Sequence, residues 1–165
     1  MPSVSIAGEV FGYAEKGQGR PVLFVHGFPL DRTLWDEQLG GLTECGRLIA
    51  PDLRGFGESR AARTANLSIE QFADDLAHLL DALRIAEPVV FCGLSMGGYI
   101  AFEFWRKHAD RVRGLVLCGS MLYSAVIHPW PRPSSHSGTF GSTLAVHSTT
   151  VRPASISTLP GDIRV

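Results

Sequence analysis

The residues Gly93-Leu-Ser95-Met-Gly97 stand between an apolar run beginning at Pro88 and a second apolar stretch carrying Ile100, Ala101, Phe104 and Trp105. A serine on so sharp a strand-to-helix turn has its hydroxyl lifted above the sheet edge, and Gly93 and Gly97 occupy places where a larger side chain would strike the neighbouring turn. The first N–H groups of the following helix have no partner inside it and point toward whatever the oxygen attacks. Ser95 is therefore a candidate nucleophile on a nucleophile elbow. A serine hydroxyl is weak alone, so such a site calls for a base and an acid that orients the base.

The elements that would hold this turn can be read from hydrophobic patterning. Val4 to Ala7 and Val10 to Ala14 are short extended segments, and the glycines of Glu15-Lys-Gly-Gln-Gly-Arg20 make a turn. Pro21 to His26, Arg47 to Pro51, Pro88 to Cys92 and Val112 to Cys118 are apolar runs of strand length, which suits strands buried on both faces of a parallel sheet. Asp31 can cap a helix carrying Leu34, Trp35 and Leu39. Ser68 can cap a longer one, with Gln71 reaching back to complete the box and Ile69, Phe72, Ala73, Leu76, Leu79, Leu80 and Leu83 as its stripe. This alternation predicts an α/β fold with a doubly wound, mostly parallel sheet.

The chain has 165 residues, and at 45% hydrophobic content residues 1–120 are expected to build one core. A net charge of −1 gives no electrostatic reason for nucleic acid or an anionic membrane surface. No apolar stretch is long enough to span a bilayer, and Met1 to Val10 lacks a basic region followed by an apolar one, so the expectation is cytoplasmic. Cys45, Cys92 and Cys118 have no paired or ligand spacing and read as small apolar fillers; no metal and no cofactor are expected. Residues 121–165 differ: Asp162 is their sole acid, against fifteen acids before it, and Pro129, Pro131, Pro133, Pro153 and Pro160 interrupt them. They read as a poorly ordered Ser/Thr/Pro-rich tail in which Leu144 to Val151 is the one strand candidate.

Three blocks in order, Val25-His-Gly-Phe-Pro-Leu30 with Trp35, Asp52-Leu-Arg-Gly-Phe-Gly-Glu-Ser59 and Gly93-Leu-Ser-Met-Gly-Gly98, resemble the α/β-hydrolase superfamily over about the first 118 residues. Their forms are similar to small bacterial esterases, enol-lactonases and cofactor-free perhydrolases. The resemblance implies Ser95 as nucleophile, the backbone N–H groups of Phe28 and Met96 as oxyanion hole, and His26 as a support beneath the loop, with Gly27, Gly93 and Gly97 shaping the turns. Two such donors would each stabilise a developing oxyanion by roughly 3–4 kcal/mol. Asp52 and Arg54 are expected to serve local structure, Trp35 to pack, and His78 and His108 to be solvated.

In that superfamily the acid and then the histidine follow the serine. Here six strands can be counted, so the fold is expected to be truncated after about the sixth, and Gly119 and Ser120 occupy the position after it. Asp162 comes after His128, His136 and His147, so the order is inverted and the triad acid and base are absent from their expected places. Three readings follow. The first is a serine hydrolase of small carboxylic esters or lactones, expected to turn over little above background without a base. The second is a catalytically silent remnant or small-molecule-binding module. The third, a dinucleotide-binding domain, is weak because Gly55-Phe-Gly57 lacks a third glycine. The sixth strand, left as an open apolar edge, would offer a surface for self-association.

Overall fold

The computed structural model of the chain describes residues 2–62 and 67–120 in full and the main chain of residues 144–147. The six expected strands are present as β1 (Ser3–Ile6), β2 (Glu9–Lys16), β3 (Pro21–Val25), β4 (Arg47–Pro51), β5 (Val89–Leu94) and β6 (Val112–Cys118). A seventh, β7 (Leu144–His147), joins them in one sheet of order β1-β2-β4-β3-β5-β6-β7. The β1–β2 and β2–β4 pairs are antiparallel and the others parallel, which is the mostly parallel sheet that the sequence predicts. Because β3 and β5 are sequence-distant neighbours at the centre, the loops leaving their C-terminal ends meet there.

The strands are continuously apolar because both of their faces are covered. Leu23, Val25, Ile49, Phe91, Leu115 and Leu117 point to a face packed by α2 (Ile69–Ala82) and α3 (Met96–Lys107). Phe24, Leu48, Ala50 and Cys92 point to the other, against Trp35 and Leu39 of the segment ending in α1 (Asp36–Gly41). Each large side chain so buried stabilises the fold by roughly 1.5–3 kcal/mol before entropy is counted. The second face is less complete, with Val22, Leu94, Val116 and Cys118 only half-buried. Of the three cysteines expected to fill apolar space, Cys45 is exposed, whereas Cys92, beside Cys118 on this face, is buried and has its thiol pushed up to about 12 by desolvation first and by its neighbour second.

Two expectations are corrected. Ser68 caps α2, its Oγ accepting from the Gln71 N–H at 3.2 Å, but the Gln71 side chain does not reach back. It donates forward to Asp75 Oδ1 at 3.0 Å, because Asp75 is buried and needs donors. The edge of β6 is not left open, since the main chain of β7 pairs with it in parallel from Leu115↔Leu144 to Cys118↔His147. Outside β7, the expected tail of residues 121–165 lies beyond the described residues, as does the connection into β7. Among the described residues no helix is long and apolar enough to cross a membrane.

Candidate active site

The strand-to-helix turn expected at Ser95 is the junction of β5 and α3. Ser95 has φ 51° and ψ −111°, a conformation rare for a residue with a side chain, and the residue is exposed with no side-chain capping bond. The turn can be this tight because two side chains are missing. A Cβ at Gly93 would fall 2.3 Å from the Gly97 carbonyl oxygen, and one at Gly97 would fall 2.3 Å from the Val25 carbonyl oxygen. Backbone bonds hold it: the Ser95 N–H donates to Cys118 O at 2.8 Å, and the Gly98 N–H donates to Ser95 O at 2.9 Å. The N-terminus of α3 thus opens directly beside the hydroxyl.

The loop leaving β3 lies against this turn. A Cβ on Gly27 would sit 3.2 Å from the Ser95 Cβ and 2.9 Å from the Leu94 carbonyl oxygen, so only glycine permits the approach. Phe28 follows, 69% exposed, its ring edge-on to Phe56 at 6.0 Å between centroids. Phe28 and Met96, the two expected oxyanion donors, are each one residue beyond the contact between Gly27 and Ser95.

His26 is fully buried beneath this loop. Its Nε2 accepts from the Leu53 N–H at 3.0 Å, which requires the proton to sit on Nδ1, and Nδ1 donates to the Gly27 carbonyl at 3.0 Å. Burial pulls its pKa below 6.5, outweighing the Gly27 bond and the Asp52 and Asp31 charges that raise it. With both nitrogens engaged and the ring neutral, His26 ties the exits of β3 and β4 together and has no free position with which to take a proton from Ser95.

The exit of β4 carries polar groups of a different kind. Asp52 is fully buried; its Oδ1 accepts from the Arg32 N–H at 2.8 Å, its Oδ2 accepts from the Glu58 N–H at 2.9 Å, and it is ion-paired with the Arg32 guanidinium. Arg32 also pairs with Glu58 at 3.0 Å. Arg54 donates to both Asp75 oxygens at 2.7 and 2.6 Å and stands over the Phe11 ring. Arg32 and Asp75 carry no local signal of these roles. Their partners lie 20 and 21 residues away and are brought close only by the folded topology.

Trp35 packs against Phe24 at 5.2 Å, as expected, and His78 is exposed. His108 is not simply solvated: half-buried, it lies against the Phe104 ring at 5.2 Å with Nε2 3.4 Å from Asp74 Oδ1. Among the described residues no three His, Cys, Asp or Glu side chains are grouped to hold a metal ion. Of the histidines considered as bases, His128 and His136 lie outside the described residues, as does Asp162. His147 closes β7 in register with Cys118, at the same sheet edge as Ser95.

The family model of the alpha/beta hydrolase fold matches residues 20–144. A non-heme chloroperoxidase of Kitasatospora aureofaciens is 37% identical over 114 residues, 68% of this chain and 41% of that protein. A thermophilic esterase from Thermogutta terrifontis superposes with a TM-score of 0.68 at 44% identity, over 73% of this chain and 45% of that one. An enol-lactonase from Burkholderia xenovorans LB400 gives 0.65 at 30% identity, over 69% and 45% respectively. The chain therefore spans less than half the length of each of these relatives. The match of that family model to residues 20–144, a span that includes Gly27 and Ser95, establishes that this chain belongs to the alpha/beta hydrolase fold family.

Proposed function

We propose that the chain carries the nucleophile and oxyanion elements of a serine hydrolase site for small carboxylic esters or lactones, with Ser95 as nucleophile and the N–H groups of Phe28 and Met96 as oxyanion donors. The observation that carries this is the strained, exposed Ser95 at the head of α3, since backbone held at φ 51° is stored strain of the kind found at functional sites. The esterase and enol-lactonase among the similar structures support the substrate class. In the reaction, the Ser95 oxygen attacks the carbonyl carbon as its proton passes to water, and negative charge collects on the carbonyl oxygen between the two N–H groups. The acyl C–O bond then breaks, the alcohol oxygen taking a proton from water and leaving an acyl-serine. His26 holds the Gly27–Phe28 loop from below and takes no proton.

A second reading, a small-molecule-binding module without turnover, is favoured by the state of His26: this histidine, beneath the Gly27 loop that meets Ser95, is committed on both nitrogens. Mixing the chain with p-nitrophenyl acetate separates the two. The hydrolase reading expects a burst approaching one p-nitrophenolate per chain, with an acetyl group mapped to Ser95 and a slow steady state behind it. Release at the buffer rate with no acetyl on Ser95, unchanged in Ser95→Ala, leaves the binding module.

A further inference from the structure

The turn at Ser95 is fastened to the exit of β6 through both peptide groups of one residue. The Ser95 N–H donates to the Cys118 carbonyl, and two residues further along the Ser120 hydroxyl donates to the Ser95 carbonyl at 3.1 Å. Gly119 between them turns the chain with φ 57°, so both groups face back toward α3. Room for Ser120 is made on the helix side by Gly98, where a Cβ would lie 1.8 Å from the Ser120 Oγ and 2.6 Å from its Cβ. The Cys118 carbonyl is a second acceptor within reach of the Ser120 hydroxyl, but at 3.4 Å it is the longer contact.

The Ser95 carbonyl and the Met96 N–H are the two ends of one planar peptide. A donor that fixes the oxygen therefore fixes the direction of the N–H, and by polarising the unit it also makes that N–H a stronger donor. We propose that Ser120 is a positioning residue for the site: its hydroxyl holds the Ser95–Met96 peptide so that the Met96 N–H faces the oxygen on which charge develops. This rests on the hydrolase reading above. Ser120 does not itself touch the substrate, and because the charge forms only during attack, its effect falls on the acylation step and not on ester binding.

The test uses the full chain, uniformly 15N-labelled, as wild type, Ser120→Ala and Ser120→Thr. The Met96 amide resonance is followed together with the pre-steady-state acylation of Ser95 by p-nitrophenyl acetate. In Ser120→Ala the Met96 resonance shifts upfield and the acylation rate constant falls about fivefold at unchanged half-saturation, the loss expected for one neutral hydrogen bond. Ser120→Thr, which keeps the hydroxyl, restores both. An acylated wild type whose Met96 resonance is unmoved in Ser120→Ala overturns the role of Ser120 alone, as does a rate loss that Ser120→Thr fails to restore. A wild-type chain never acylated at Ser95 overturns the hydrolase reading and the Ser120 role with it.

Discussion

At the end of β4, Asp52 is fully buried, its carboxylate is shared among two backbone N–H groups and the Arg32 guanidinium, and Gly57 presses so close that a Cβ would lie 2.3 Å from the carboxyl carbon. At the end of β5, Ser95 is exposed, its hydroxyl caps nothing, and the glycines crowd its backbone instead of its side chain. Both turns are punctuated by glycine and both leave the same edge of the sheet. In the first, tight packing satisfies a polar group; in the second, it forces a non-glycine residue to positive φ and leaves the side chain facing outward. Glycine spacing alone thus does not mark a reactive site. What marks it is which part of the intervening residue the glycines constrain.

Damage to the β4 turn gives the largest effect. Asp52→Ala leaves Arg32 buried without its main partner and two N–H groups without an acceptor, and is expected to cost about 3–5 kcal/mol of unfolding free energy in urea titration. A loss below about 1 kcal/mol, the range of a surface ion pair, would place Asp52 among ordinary exposed charges and remove the contrast.

The opposite sign is expected at the β5 turn. Ser95→Gly relieves positive φ, so it is expected to stabilise the chain by about 1 kcal/mol while removing the nucleophile. A destabilisation of similar size would show that the Ser95 side chain contributes packing that its exposure does not suggest.

How much of this was legible follows from where each contact's partners lie in the chain. The β5 turn is built by contiguous residues, Gly93 to Gly97, so its strand-to-helix geometry is legible directly, and the two extended segments and four apolar runs correspond to the six strands within residues 1–118. The local half of the Asp52 site was legible too, since the Glu58 N–H comes from the same glycine-punctuated loop. Arg32, Asp75 and the Leu53 bond to His26 were not, because each depends on which strands are neighbours and no residue type at any spacing announces that order. In the sequence Ser120 is only the occupant of an expected acid position, and its bond to Ser95, across 25 residues, follows from the β5–β6 register. The local capping pattern points Gln71 back toward Ser68 and is silent about Asp75, whose burial claims its side chain.

The smallest effect lies between the two turns, at His26. Its folded pKa is lowered by burial, so as pH falls through 6.5 the unfolded chain takes up a proton that the folded chain refuses. The contribution of this neutral ring is therefore complete above pH 6.5 and is lost progressively as pH drops from there toward the depressed folded value. Urea midpoints between pH 7.5 and 5 should fall more steeply in the wild type than in His26→Gln, whatever the other groups add to both. Equal slopes would mean that His26 titrates normally and does not bridge the β3 and β4 exits.

The most direct measurement compares serines from the two turns in one experiment: treatment of the chain with a fluorophosphonate and mapping of the adducts by mass spectrometry. Ser59, buried in the β4 turn with its hydroxyl donating to Asp52 O at 2.9 Å, serves as the internal reference for Ser95. The account predicts an adduct on Ser95, none on Ser59, and none on the Ser95→Ala chain. Equal labelling of the two serines, or no adduct on Ser95, would contradict it.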